Sequence, residues 1–148
     1  MAYKFPLATV LRVKLSLEKV EELALQKILV EMSQVRHQIE MLTTDIARAR
    51  QLLDEAMQQV IPAVEIESTT NRINLAVHRK GELLNLLAEL NQKREVQTRK
   101  YHAAHRSSRV LSDLQVRQLD IYEQERARAE QKFIDEIFGA RAQRSELP

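Results

Sequence analysis

The chain of 148 residues has no cysteine, no tryptophan, two glycines and three prolines. Without cysteine there is no disulfide, no thiolate nucleophile and no cysteine-based zinc site. The isolated glycines, Gly81 and Gly139, are too few for the turns of a β-protein and do not form a phosphate-binding loop. No apolar run approaches the roughly 18 residues of a membrane span. The first residues lack the apolar segment of a secretory signal, so we expect a soluble, cytoplasmic chain.

The residues that dominate the chain are the strong helix formers Leu, Ala, Glu, Gln, Lys and Arg. Pro6 suits the first turn of a helix, whereas Pro62 disfavours helical geometry at the residue before it. Gly139 suits the position just after a helix end. We therefore predict a single domain over 1–148, with helix 1 at about 7–60, a joint at about 61–68, helix 2 at about 69–138 and a frayed tail at 139–148.

One apolar register in the first helix is unbroken. Its steps of three and four residues give the 3.5-residue repeat of a coiled-coil seam. The seam positions are Leu25, Ile28, Met32, Val35, Ile39, Leu42, Ile46, Leu53 and Val60, with Ala49 and Ala56 in the same steps. Upstream, the stripe continues through Val13, Leu17, Val20 and Ala24 if one extra four-residue step, a stutter, is inserted before Met32.

The apolar pattern of the second helix is less regular. A broad stripe that includes Ile73, Leu83 and Leu90 is followed by a stretch from Asn91 to Arg109 that is poor in apolar residues. Apolar residues resume at Val110 on a shifted face. Because a short joint makes consecutive helices antiparallel neighbours, the predicted fold is all-α, with two long helices in an antiparallel coiled-coil hairpin.

The residues do not predict catalysis, a cofactor or a metal site. An active site needs groups that converge in a pocket, which a two-helix rod does not offer. His102 and His105 share a helix face at their i, i+3 spacing, but no carboxylate is close in the sequence to complete a metal site. We therefore predict that the chain is not an enzyme and interpret these histidines as part of a solvated face.

A basic stretch lies in the middle of the second helix. It contains six cationic side chains against Glu95 alone: Lys93, Arg94, Arg99, Lys100, Arg106 and Arg109. Such clustering is compatible with phosphate binding, but no nucleic-acid-binding motif surrounds it. We predict no nucleic-acid partner, and leave open whether the stretch docks an acidic protein or is simply solvated.

Apolar clusters lie near both termini of the chain. One contains Tyr3, Phe5, Leu7, Val10 and Leu11, and the other contains Phe133, Ile134, Ile137 and Phe138. In an antiparallel hairpin the two clusters lie toward the same end. Either they close on each other in a small satellite core, or they form an apolar plug for a partner.

The two ends also resemble a known family. The opening Tyr3-Lys4-Phe5-Pro6-Leu7-Ala8-Thr9-Val10-Leu11-Arg12 is similar to the Lys-Phe-x-Leu-x-x-Leu-Leu start of flagellar FliJ proteins. The segment Tyr122-Glu123-Gln124-Glu125-Arg126 and the later Glu130-Gln131-Lys132-Phe133-Ile134-Asp135-Glu136-Ile137 resemble the closing pattern of that family. The length, the two-helix layout and the proline-containing joint agree with the same family.

The resemblance implies a non-enzymatic stalk or coupling component of the flagellar type III protein export apparatus. The implied partners are the hexameric export ATPase, the cytoplasmic domain of the export-gate membrane protein, and export chaperones. The implied location is the cytoplasm, peripherally on the inner membrane at the flagellar base, without membrane insertion. The ATPase-binding end would contain Phe5, Leu7, Val10, Leu11, Arg12, Phe133, Asp135, Glu136 and Ile137. The gate-binding surface would contain Ile73, Asn74, Val77, His78 and Gly81.

Three other assignments remain open at this point. The chain is also compatible with a structural coiled coil that self-associates or scaffolds. It is compatible with an injectisome stalk protein, since those proteins share the implied fold. It is also compatible with a rotary ATPase stalk subunit, although such chains are generally longer. The Lys-Phe-x-Leu start favours the flagellar assignment.

Overall fold

The computed structural model describes residues 2–146, which contain two helices and no strand. Helix α1 spans Ala8–Met57 and helix α2 spans Ala63–Glu146. The two helices pack against each other as a hairpin, which confirms the predicted all-α antiparallel fold. The described chain forms two compact units, one of Val20–His102 and one of Met1–Lys19 with Ala103–Pro148. We call them the central unit and the terminal unit.

The joint between the helices is shorter than the predicted 61–68. Helix α1 ends at Met57, and a tight turn follows in which the Gln59 N–H donates to the Ala56 carbonyl oxygen at 3.0 Å. Helix α2 begins at Ala63 because Pro62 has a backbone suited to a helix start and its carbonyl oxygen accepts from the Glu65 N–H at 3.1 Å. Thr69 lies inside the helix, and its hydroxyl donates back to the Glu65 carbonyl oxygen at 2.9 Å.

The far end of α2 also differs from the prediction. The helix passes through Gly139 and continues to Glu146, so residues 140–146 of the predicted frayed tail are helical. Gly139 has no positive φ and therefore does not terminate the helix. The good helix formers from Ala140 to Arg144 continue it, since one glycine costs only about 1 kcal/mol against alanine. Residues 147 and 148 lie outside the described part of the chain.

The core of the central unit is the apolar seam between α1 and α2. Met32, Val35, Leu83 and Leu90 are buried together, and Met32 is only 1% exposed. Ile28, Ile39, Leu42 and Leu87 pack around them. All the predicted seam positions from Leu25 to Leu53 are buried or half-buried, but Val60 is fully exposed because α1 ends three residues before it.

The α2 side of the central seam is as regular as the α1 side. Along it, buried or half-buried positions recur at steps of three and four residues: Ile66, Thr69, Ile73, Ala76, Lys80, Leu83, Leu87, Leu90, Arg94, Gln97 and Tyr101. Four of these side chains are charged or amide groups or a phenol, so hydropathy alone conceals the repeat. The predicted irregularity of this helix is therefore an irregularity of residue type and not of register.

The terminal unit has the same 3.5-residue repeat with more polar residues in it. On α1 the positions that turn inward are Leu11, Lys14 and Glu18. They extend the repeat of Leu25 and Ile28 without a stutter. Val13 and Leu17, which the stuttered register placed in the seam, are about half exposed at 52% and 50%. The predicted stutter is therefore wrong, because polar residues occupy seam positions that an apolar count skips.

The α2 residues of the terminal unit also follow the repeat. Ala104, Ser108, Leu111, Gln115, Gln118 and Tyr122 are buried or half-buried at successive steps of four and three residues. Tyr3 donates to Gln118 at 3.2 Å, and Glu18 contacts Ser108 and His105. Increasing α1 numbers thus meet decreasing α2 numbers, as an antiparallel pair requires. The repeat of inward positions ends at Tyr122.

Candidate docking surfaces

The last part of α2 extends beyond the residues that pack on α1. Every residue from 123 to 146 is exposed, over roughly 35 Å of helix. We call residues 123–146 the α2 overhang. Side-chain pairs within the helix support it, including Arg126 with Glu130 at 3.2 Å and Gln131 with Asp135 at 2.9 Å. The sequence placed its apolar residues at the hairpin end but did not show that α1 leaves them uncovered.

An apolar face lies in the middle of the α2 overhang. Phe133 and Phe138 are 64% and 63% exposed, and Ile134 and Ile137 are 43% and 38% exposed. Their i, i+4 spacing places the four side chains on one side of the helix. Asp135 and Glu136 are also exposed, but the helical period points them away from this face. Exposed contiguous apolar surface of this kind is typical of an interaction site.

The N-terminal residues divide into two groups in the structure. Phe5 and Leu11 are each only 7% exposed, so they support the packing of the terminal unit. Leu7 and Val10 are 38% and 43% exposed, and Arg12 is exposed as well. Of the predicted ATPase-binding residues on this segment, only these last three are exposed enough to contact a partner.

The two apolar clusters do not form the mutual satellite core that the sequence left open. The phenol ring of Tyr3 lies 5.3 Å from that of Tyr122, at a tilt of 38° between the planes. Tyr122 precedes Phe133 by about three helical turns. The N-terminal segment therefore packs on α2 before the overhang starts, and Phe133 and Ile137 remain exposed.

A polar cluster joins the two helices inside the terminal unit. The Oε1 atom of Glu18 lies 2.7 Å from Nδ1 of His105, and its Oε2 accepts from the hydroxyl of Ser108. Ser108 is only 2% exposed and is the buried polar side chain of the described core. The hydrogen bond from Ser108, followed by that from His105, lowers the pKa of Glu18 below its ordinary value. Sequence reasoning missed this cluster because its members are far apart in the chain.

A second polar contact lies in the central unit. The side-chain amide of Gln97 donates to both the backbone carbonyl and the carboxylate of Glu21. Glu21 and Gln97 both occupy inward positions of the 3.5-residue repeat. The contact gives a polar side chain in the seam a partner on the other helix, which buried polar groups require.

The basic stretch is only partly available to a partner. Lys93, Arg99 and Lys100 are exposed in the central unit, and Arg106 and Arg109 are exposed in the terminal unit. Arg94 faces inward instead, and its Nε is buried without a hydrogen-bond partner among the described residues. The described residues therefore leave the exposed cations as a candidate surface and remove Arg94 from it.

The predicted gate-binding residues also divide. Ile73 is 7% exposed and lies in the seam, so it does not offer a direct contact. Asn74 is exposed, Val77 is 43% exposed, and His78 pairs with Glu82 at 3.2 Å on the surface. Gly81 is half-buried, and an added Cβ there would meet no atom within 4 Å.

The histidines do not assemble a metal site in the described part of the chain. His102 is exposed beside the Tyr101 ring at 5.6 Å, whereas His105 is held by Glu18. No group of three or more possible ligands comes together among residues 2–146. Neither described helix contains a segment that is both long and apolar enough to span a bilayer.

Comparison with known proteins gives one family. The family model described as "Flagellar FliJ protein" matches residues 3–147, which is almost the whole chain. No curated protein and no solved structure matches this chain.

Proposed function

We propose, since this chain belongs to the flagellar FliJ family, that it is a non-enzymatic stalk or coupling component of the type III export apparatus. At the level of the family, it is a component of flagellar protein export. The partners we propose are the hexameric export ATPase, the cytoplasmic domain of the export gate, and export chaperones. The location we propose is the inner-membrane base of the flagellum.

The α2 overhang is the observation that carries this proposal. It presents Phe133, Ile134, Ile137 and Phe138 to water on a helix that α1 does not cover. Burying this face in a ring-shaped partner is favourable, because apolar contact releases ordered water and has no directional requirement. Such contacts tolerate rotation of the partner, which suits a component placed in the bore of a hexameric ATPase.

Residues on both termini contribute to the proposed ATPase contact. Leu7, Val10 and Arg12 supply exposed side chains on α1 or just before it, and Asp135 and Glu136 supply charge on the overhang. Charged side chains at the rim of a contact set the association rate and orientation more than the affinity. Phe5 and Leu11 act indirectly in this proposal, since they are buried and hold the N-terminal segment in place.

The gate contact we propose uses the exposed face of α2 in the central unit. Asn74, Val77 and His78 are available there, whereas Ile73 belongs to the seam. A double substitution of Val77 and His78 to alanine therefore tests gate binding without opening the core.

The decisive experiment measures ATPase turnover of the cognate export ATPase as this chain is titrated to saturation. We expect a saturable rise with the natural chain and a loss of that rise with Phe133→Ala plus Phe138→Ala. The matched control is Val110→Ala plus Val116→Ala, since these two side chains are 65% and 66% exposed on the same helix outside the overhang. No rise with the natural chain, or an equal loss in the control, would overturn the proposal.

A further inference from the structure

The residue types on the apolar face of the α2 overhang are arranged symmetrically about the midpoint of the segment. The six residues Phe133-Ile134-Asp135-Glu136-Ile137-Phe138 place an aromatic, an aliphatic and an acidic residue in mirrored order about the centre of the segment. The four apolar members are all exposed and share one side of α2. A helix face with this symmetry is complementary to a second copy of itself turned by 180°.

We propose that two copies of this chain associate through their α2 overhangs, antiparallel, about a twofold axis between Asp135 and Glu136. This axis places Phe133 opposite Phe138 of the second copy and Ile134 opposite Ile137. Both contacts occur twice, as an isologous interface requires. Asp135 and Glu136 lie at the level of the axis along the helix, but the helical period directs both side chains away from the second copy. Like charges are therefore not brought together.

The charges that flank the apolar face support the same axis. Glu130 lies three and four residues before Phe133 and Ile134, and Arg141 lies three and four residues after Phe138 and Ile137. Both therefore lie on the apolar side of the helix. The rotation that pairs the phenylalanines also places Glu130 of each copy opposite Arg141 of the other. A partner of unrelated sequence would not require this mirrored placement of charge.

Glu130 is able to make this contact in the structure as it stands. Its Oε1 is 3.2 Å from Nε of Arg126, and both side chains are about two-thirds exposed. Because a carboxylate has two oxygens, the second accepts from Arg141 of the other copy while the first keeps Arg126.

The association has a consequence for the proposed function. This consequence rests on that function, whereas the association itself does not. The face that joins the two copies is the face assigned to the export ATPase. The chain paired in this way cannot place Phe133 and Phe138 in a ring, so self-association and ATPase binding exclude each other.

Sedimentation of the full chain over a wide concentration range tests the pairing. We expect a reversible monomer–dimer equilibrium for the natural chain. Glu130→Arg and Arg141→Glu are each expected to weaken it roughly tenfold, because the twofold axis converts both ion pairs into like-charge contacts at once. Arg128→Glu is the control, since this exposed side chain lies on the opposite side of the overhang.

Mixing the two charge-reversed chains gives the sharpest outcome. A Glu130→Arg chain and an Arg141→Glu chain should dimerise with each other more tightly than either does with itself, because the mixture restores opposite charges at both contacts. Failure of the mixture to associate, or an equally strong effect of Arg128→Glu, would overturn the proposed axis.

The ATPase assay separates this inference from the proposed function. A strictly monomeric natural chain that still stimulates the ATPase refutes the dimer and leaves the function. A dimer that breaks on charge reversal, with no stimulation under any condition, retains the dimer and refutes the function.

Discussion

The central and terminal units use one coiled-coil repeat for two different kinds of seam. In the central unit Met32, Val35 and Leu83 bury apolar surface with no directional requirement. In the terminal unit Glu18 occupies the same kind of position and is held by His105 and Ser108. The difference shows that the repeat itself sets which residues face inward, while the residue types set what those positions contribute.

An apolar seam and a polar seam contribute differently to the fold. Apolar side chains supply most of the stabilising free energy, but a shift of one heptad exchanges one leucine for another at modest cost. A carboxylate that is paired in only one alignment is left without partners by the same shift, at a cost typical of an unsatisfied buried group. The apolar seam of the central unit therefore supplies stability, and the cluster at Glu18 favours one alignment of the helical segments within the terminal unit.

The largest expected effect is that of a charge in the central seam. Met32→Asp is expected to destabilise the fold by about 4 kcal/mol or more, because it buries an unpaired carboxylate at a position that is 1% exposed. Met41→Asp, on the same helix at a site 53% exposed, is the matched control and should change the free energy of unfolding little. Thermal unfolding followed by circular dichroism measures both. Equal effects would contradict the seam.

The next effect separates the packed terminus from the overhang. Phe5→Ala is expected to cost about 2–4 kcal/mol within the terminal unit, since Phe5 is 7% exposed. Phe138→Ala removes the same side chain at a site 63% exposed and should cost close to nothing. Amide hydrogen exchange near Gln118 and Tyr122 measures the loss. Unchanged protection there in the Phe5 variant would contradict the packing described for the N-terminal segment.

A smaller effect tests the polar part of the seam. Glu18→Gln is expected to cost about 1–2 kcal/mol at neutral pH, because it removes a charged acceptor shared by two hydrogen bonds. Glu40→Gln, at an exposed site on the same helix, is the control. Chemical denaturation at several pH values measures the difference between the two variants.

The same pair of variants gives a pH dependence of known sign. Since folding lowers the pKa of Glu18, its contribution is complete above the ordinary glutamate pKa and is lost as the pH falls through the lower, folded value. The natural chain should therefore lose its advantage over Glu18→Gln in acid. An advantage that grows on acidification would contradict the hydrogen bonds assigned to the carboxylate.

The smallest expected effects compare the two glycines. Gly81→Ala and Gly139→Ala should each stabilise their helix by about 0.5–1 kcal/mol, because both residues are helical and an added Cβ meets no atom within 4 Å. The first should raise the melting temperature of the central unit. The second should raise helicity in the overhang alone, which site-resolved hydrogen exchange distinguishes from a global change.

The sequence was sufficient to predict the fold and the seam positions that apolar residues occupy. The unbroken repeat from Leu25 to Leu53 and the proline at 62 predicted two helices in a hairpin, which the structure confirms. The prediction of the register failed where polar residues occupy seam positions, because a search for apolar side chains does not include Lys14 and Glu18. The partners of Glu18 on α2 lie some ninety residues away, and no local pattern identifies them.

The exposed surfaces were predictable in composition but not in availability. Phe133 and Phe5 appear alike in the sequence, as aromatic residues near the ends of the two helices. They differ in the structure because Phe5 packs within the terminal unit, whereas no part of α1 covers α2 beyond Tyr122. Within the central unit, Ile73 lies in the seam and Val77 is partly exposed, a difference that composition does not show.

The uncovered state of residues 123–146 has an evolutionary consequence. Because no other part of the described chain packs on them, substitutions there have little effect on the stability of the hairpin, apart from helix propensity. Selection on this segment then acts through the contacts we propose for it and hardly at all through folding. Substitutions at this helix end can therefore alter such a contact while the remainder of the protein stays unchanged.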